Sequence, residues 1–417
     1  MSRTKFGGAS PARIGRRAFM ALAAGAACGT LSGAGGAAPK ERSARVTPQE
    51  GAVTLFLCGD VMTGRGIDQI LPHPADPHIC EPWVKSALTY VELAQEVSGD
   101  IPRPVGFPYI WGDALGELAR AAPDARIINL ETSVTARGEC GGRGISYRMN
   151  PENLPCLTAA GIDCCVLANN HVLDWGPVGL ADTLDSLKSA PMKIAGAGGD
   201  AEEAAAPAIL ELPGGNRILV FAAGAASSGI PRGWAAGPGR PGVHHLEALS
   251  GGALAAIARQ VRRHKREGDI AVVSVHWGGN WGYEIPAGQR RFAHGLIDEA
   301  GADIVHGHSS HHVKGIEVYK GRPVFYGCGD FLNDYEGISG YERFRDDLVL
   351  MYFPSVSPSD GRLARCRMVP LRIRNFRLNR ASREEADWLA QTLNREGKPF
   401  GTAVRRGPDG DLLLDWT

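Results

Sequence analysis

Asp303-Ile304-Val305-His306-Gly307-His308-Ser309-Ser310-His311-His312 sets four histidines at the exit of a short apolar strand. Neutral imidazole is the commonest borderline ligand for Zn, Fe, Mn or Ni, and a glycine lets the backbone turn tightly enough for neighbouring rings to converge. The flanks Ile304-Val305 and Val313-Lys314-Gly315-Ile316-Glu317-Val318 place the segment in the body of a fold. That setting argues for metal ligation over four solvent-facing rings.

Outward from this stretch, other apolar runs end in the same way. Leu55 to Cys58 runs into Gly59-Asp60, Ile127-Ile128 into Asn129-Leu130-Glu131, and Val166 to Ala168 into Asn169-Asn170-His171. Val272 to Val275 runs into His276, and Val324 to Tyr326 into Gly327-Cys328-Gly329-Asp330. These runs alternate with helical patterns, which argues α/β. In open α/β sheets the ligand crevice lies outside the carboxyl ends of the strands, so the tips are expected to share one rim. The pooled Asp, Glu, Asn and His set favours Zn, Mn or Fe over Ca or Mg, and the lack of a cysteine cluster speaks against a structural zinc knuckle. Two such ions about 3.5–4 Å apart would clamp the attacking and leaving oxygens of a displacement, which makes phosphate ester hydrolysis the natural chemistry.

With 417 residues and 44% hydrophobic content, the chain can bury one large core or two ordinary ones. Lys+Arg 45 balances Asp+Glu 45, leaving no global field to hold a nucleic acid or an anionic membrane. The basic run Arg262-Arg263-His264-Lys265-Arg266 ends a periodic segment and reads as a solvated helix end. Arg16-Arg17-Ala18-Phe19-Met20, a short mildly apolar stretch and a small-residue zone ending at Ala38 resemble a twin-arginine export signal over residues 1–38. A polar linker follows over 39–50. Membrane contact is expected only through the signal segment, and residence outside the cytoplasm. Cys58, Cys164, Cys165 and Cys328 lie in strand-like runs and read as buried thiols, whereas Cys80, Cys140, Cys156 and Cys366 are free to pair in an oxidising compartment.

Helices are expected from Gly176 to Leu187, around Phe292, Leu296 and Ala300, and after the capping box Ser382 to Glu385, with Gly397 as the stop. The runs Val313–Tyr319, Arg322–Tyr326, Leu348–Phe353 and Leu363–Leu371 read as antiparallel strands, with Lys320-Gly321 as a tight turn. The proline-rich stretch 66–112 and the Gly/Pro-rich stretch 224–242 read as irregular loops that could overhang a cleft.

At the strand tips the sequence resembles the CapA family, the poly-γ-glutamate capsule biosynthesis proteins of the calcineurin-like metallophosphatase superfamily. The resemblance rests on Gly59-Asp60-Val61-Met62-Thr63-Gly64-Arg65, Asn129-Leu130-Glu131, Asn169-Asn170-His171-Val172-Leu173-Asp174-Trp175-Gly176, Val275-His276-Trp277-Gly278, Gly307-His308-Ser309-Ser310-His311 and Tyr326-Gly327-Cys328-Gly329-Asp330-Phe331. It implies a calcineurin-like metallophosphoesterase sandwich of mixed β-sheets flanked by helices over 51–372, with 373–417 as a C-terminal helix and tail. It also implies Asp60, Glu131, Asn170, His276, His308 and His311 as ligands for one or two divalent ions (Mn, Fe or Zn). His171 would stabilise or protonate a leaving group. Arg65 would meet an anionic substrate, unless it pairs internally. Asp174 would serve the catalytic group or else cap the helix near Gly176. His306, His312, Glu284 and Asp330 are further candidates.

The sequence departs from the superfamily pattern in three places. Met62 stands where the first strand carries a ligand histidine, so one metal position loses a ligand; Glu131 replaces a common Asp; and His308 and His311 are spaced by three, leaving His306 as an alternative partner. The implied function is an exported metal-dependent hydrolase of a phosphoester or anionic polymer in capsule or cell-envelope polymer synthesis, acting beside capsule-synthesis subunits. The alternative is a non-catalytic component that binds or hands over a polyanion.

Overall fold

The computed structural model describes residues 51–417 apart from 142 and 143; the expected export signal and linker lie outside the described residues. Strands Val53–Val61 (β1), Ala125–Leu130 (β2) and Cys164–Val166 (β3) run parallel in one sheet, and Ile270–His276 (β4) and Ile304–His308 (β5) run parallel in another. A three-residue strand, Asp330–Leu332 (β6), lies parallel beside β1. Every residue of β4 and β5 is buried, which is why their apolar residues follow one another without the alternation of a half-exposed strand.

The first sheet continues from β3 to Lys193–Ala195 and, on the other side of β1, to Leu348–Val356, Leu363–Arg374, Leu412–Trp416 and Thr402–Arg406. The second runs His245–Leu246, Arg217–Ala225, β4, β5, Arg322–Phe325, Ile316–Tyr319. Leu55, Leu57, Ile127 and Val166 of the first sheet pack in one core with Ile218, Val220, Val272 and Ile304 of the second. The alternate residues Phe56, Cys58, Ile128 and Cys165 face outward onto Leu180, Leu184 and Leu187 of the helix Gly176–Lys188. On the far side, Leu219, Phe221, Val273 and Val275 meet the helices Gly251–His264 and Ala287–Asp298. The result is the α/β sandwich of mixed sheets with flanking helices that the sequence implied.

The four strands expected between 312 and 372 do form two antiparallel pairs, but the pairs belong to different sheets. Ile316–Tyr319 and Arg322–Phe325 make a hairpin in the second sheet, whose turn residues Lys320 and Gly321 have φ of 51° and 81°, the left-handed backbone a tight hairpin demands. Leu348–Val356 and Leu363–Arg374 pair in the first. The chain between them crosses from sheet to sheet and lays β6 against β1. The stretch 66–112 is not loop throughout: Leu88–Ser98, a proline-free interval, is a helix that buries Tyr90, Val91 and Ala94. Cys80 and Cys140 form a disulfide, while Cys156 and Cys366 are buried free thiols beside Cys58, Cys164, Cys165 and Cys328. Ser382 and Glu385 close the expected capping box on the helix Arg383–Gly397, and the last residues form a hairpin at the edge of the first sheet. Among the described residues no helix is long and apolar enough to cross a membrane.

Candidate metal centre

Strand register delivers the polar tips to one place. Asp60 lies opposite Asn129 on β2 and opposite Asp330 on β6, and His276 lies opposite His308 across the β4–β5 pair. Gly59 makes the β1 approach possible: a Cβ there would lie 1.6 Å from the Gly329 carbonyl oxygen, the atom that accepts from Asp60 N at 3.0 Å from the nitrogen. Two buried triads result, Asp60 with His276 and His308, and Asp60 with His311 and Asp330, each offering ligand atoms within 4.8 Å of one another. Asp60 belongs to both.

In the first triad the Nδ1 atoms of His276 and His308 are 2.8 Å apart, and His276 Nε2 lies 2.6 Å from Asn170 Oδ1. Glu131 Oε1 is 3.8 Å from His276 Nε2, which brings Glu131 and Asn170 to the same edge. In the second triad His311 Nδ1 sits 2.8 Å from Asp330 Oδ1. Asp330 and His311, not His306, complete that group with Asp60. Asn129 donates to Asp60 and Glu131, and Asn169 donates to Asn129 while accepting from the backbone N–H groups of His171 and Val172. Both Asn residues are orienting members that the sequence reading had not assigned; their place in the tip motifs was the available signal.

Burial, reinforced by Asp330 and opposed by His311, pushes the Asp60 carboxyl up to about 7. Burial and then Asp60 and Asp330 raise Glu131 well above the carboxylate range. Burial holds His276 and His308 well below the ordinary imidazole value, with His171 and His276 respectively adding to it. Burial alone would lower His311 too, but Asp330 outweighs it and raises this ring. Among the described residues no Lys or Arg pairs with Asp60, Glu131 or Asp330. Three buried carboxylates without a fixed cation, facing two neutral imidazoles, form a donor set that fits divalent transition ions.

His171 flanks this cluster at a partly exposed position, its Nε2 3.9 Å from Glu131 Oε1. Its Nδ1 lies 2.7 Å from Asp174 Oδ2, which also accepts from Tyr147 N at 2.8 Å. Asp174 does not cap the following helix, whose first residues take no side-chain cap. A carboxylate can only accept, so the ring proton sits on Nδ1 and Nε2 is the atom turned to the cluster.

Other expected residues lie elsewhere. Arg65 is buried, with Nε and Nη2 paired to both Asp334 oxygens at 2.8 and 2.5 Å and Nη1 to Glu81 at 3.1 Å, between the rings of Tyr90 and Tyr147. Its fork does match a carboxylate, but that carboxylate is internal. His306 bonds to Ser274 and to the Cys58 carbonyl, and His312 bonds to the backbone of Gly282 and Val313 beneath Trp281 and Phe344. Glu284 is exposed.

Residues 54–335 match the family described as bacterial capsule synthesis protein PGA_cap. A probable polyglutamine synthesis accessory protein of Mycobacterium tuberculosis is 48% identical over 362 residues, covering 86% of this chain and 95% of that protein. The PGA biosynthesis protein CapA of Bacillus subtilis is 26% identical over 310 residues, 73% of this chain and 69% of its own length. The capsule biosynthesis protein CapA of Bacillus anthracis is 25% identical over 306 residues, 72% of this chain and 63% of its own. The matched span runs through every strand tip from Asp60 to Asp330, and the chain belongs to the bacterial capsule synthesis protein family.

Proposed function

We propose that this chain is an exported accessory protein of capsule or poly-γ-glutamate synthesis whose strand tips form a metal-dependent, phosphoesterase-type hydrolase site. The observation that carries the reading is the position of Asp60 in two buried ligand triads at once. Asp60, His276 and His308, with Asn170 and Glu131 at the same edge, would hold one Mn, Fe or Zn ion, and Asp60, His311 and Asp330 a second. Ions bound there supply Lewis acidity and positive charge for an anionic ester. His171, fixed by Asp174, presents Nε2 to the cluster and, in its imidazolium form with a second proton on that nitrogen, passes that proton to the leaving oxygen. Asn129 holds Asp60 and Glu131 in place. The substrate class is a phosphoester or an anionic envelope polymer, and capsule-synthesis subunits are the expected partners. The Cys80–Cys140 disulfide supports an oxidising, extracytoplasmic setting, in keeping with the Arg16-Arg17 signal.

A second reading, binding or transfer of a polyanion without hydrolysis, is favoured by the accessory role in the name of the mycobacterial relative. Elemental analysis, paired with hydrolysis of an aryl phosphate diester by wild type, His276→Ala and His171→Ala, separates the two. Hydrolysis requires turnover that both substitutions abolish or reduce, with metal retained in His171→Ala. Bound metal without turnover selects the transfer reading, and absence of metal sinks both site assignments.

A further inference from the structure

Ser274 is a hydroxyl between Val273 and Val275 in a fully buried strand, and His306 is a buried imidazole one pleat deeper than His308. Neither belongs to the metal triads. Such groups are costly inside a core unless every hydrogen bond is made, and here they form one continuous chain. His306 Nε2 lies 2.7 Å from the Cys58 carbonyl oxygen, His306 Nδ1 3.0 Å from Ser274 Oγ, and Ser274 Oγ 2.9 Å from His308 Nε2.

We propose that Ser274 and His306 are positioning residues that set the tautomer of His308, leaving its Nδ1 unprotonated and aimed, 2.8 Å from His276 Nδ1, into the metal cluster. The assignment follows from the donor and acceptor capacity of each group. A carbonyl oxygen only accepts, so His306 Nε2 carries the ring proton. The other partner of that ring is the Ser274 hydroxyl, and a ring with its one proton on Nε2 leaves Nδ1 to accept from it. The single hydroxyl proton of Ser274 is therefore directed at His306, and its oxygen is left to accept from His308 Nε2–H. With its one proton on Nε2, His308 presents an unprotonated Nδ1 at 3.8 Å from Asp60 Oδ1. His276, whose Nε2 faces the Asn170 carbonyl oxygen at 2.6 Å, holds its proton there, so the two Nδ1 lone pairs, 2.8 Å apart, converge where a cation would be held. Cys58 belongs to β1 and His306 to β5, so the same chain ties together the two sheets that supply Asp60 and His308.

The inference rests on the metal reading of the site, and outer hydrogen-bond partners of a ligand histidine are worth about 10–100-fold in metal affinity. The test uses full-length protein and two readouts. Side-chain ¹⁵N spectra of the metal-free, ¹⁵N-histidine-labelled wild type should show His308 as the Nε2–H tautomer; an Nδ1–H tautomer overturns the proposal with no variant needed. Co²⁺ affinity, measured by competition with a chromophoric chelator, should fall about 10–100-fold in Ser274→Ala. It should recover in Ser274→Thr, which keeps the hydroxyl, and persist in His306→Gln, whose amide can still donate to Cys58 and accept from Ser274. Equal Co²⁺ affinity in wild type and a folded Ser274→Ala also overturns it. Nε2–H on His308 in a wild type that takes up no Co²⁺ supports the tautomer relay and refutes the metal reading instead.

Discussion

Arg65→Met removes the guanidinium that faces both Asp334 and Glu81. The three side chains are 1%, 0% and 5% exposed, so solvent does little to screen the loss. Three charge-assisted hydrogen bonds disappear, as do the stacking contacts over Tyr90 and Tyr147. Two buried carboxylates are left facing each other's field, and breaking a buried pair in this way costs about 3–5 kcal/mol. Asp334 retains one donor, Gly66 N at 2.8 Å, which keeps the loss toward the lower end. Urea unfolding of wild type, Arg65→Met, Asp334→Asn and the double variant measures the pair directly; the double variant should lose clearly less than the sum of the singles. The contrary role, in which Arg65 meets an anionic substrate, predicts a different pattern. A variant within about 1 kcal/mol of wild type in unfolding free energy, with a raised KM for an anionic ester, would refute the internal-pair account.

Asp60→Asn should abolish binding of both ions, whereas Asp330→Asn should leave one ion on the His276 and His308 side; elemental analysis that finds equal losses contradicts the two-triad arrangement. The Cys80–Cys140 bond closes a separation of 60 residues, worth on the order of 4 kcal/mol on the chain-entropy relation, so a paired Cys80→Ser, Cys140→Ser variant should melt well below the oxidised protein. Unchanged melting refutes that contribution. His244, donating from Nδ1 to the Ala222 carbonyl, has its pKa lowered below 6.5 by burial. The unfolded chain takes that proton first, so the contribution is present above pH 6.5 and is lost as pH falls through the folded value; His244→Gln should flatten the acid side of a stability-versus-pH curve.

The strand tips were legible because parallel strands buried on both faces read as apolar runs that stop abruptly at a polar residue. Period-two geometry also explains what the histidine cluster concealed. His306 and His308 lie on the same face of β5, so composition treats them alike, yet one pleat separates a proposed ligand position from a core hydrogen bond. Asp330 was weighed only as a further candidate because its strand has three residues, too few to carry a pattern. Arg65 and Asp334 are 269 residues apart, and no local signal links a fork to a partner at that distance. The helix Leu88–Ser98 was hidden by the prolines on either side of it. Ser274 had no distinguishing mark in sequence at all; its role comes from the neighbours that register gives it.

The pairing of Asp60 with Asp330 also bears on how the protein matures. These two proposed ligands come from opposite ends of the matched span, with the strands of the second sheet lying between them in the chain. A chain lacking β6 cannot offer the complete proposed set, so on the proposed reading metal uptake would be a late event, coupled to completion of the whole fold. An ion bound there would stabilise only the finished state, by an amount that grows with free metal concentration. Under that reading, metal content per chain would be a direct readout of how much of a preparation has reached the native topology.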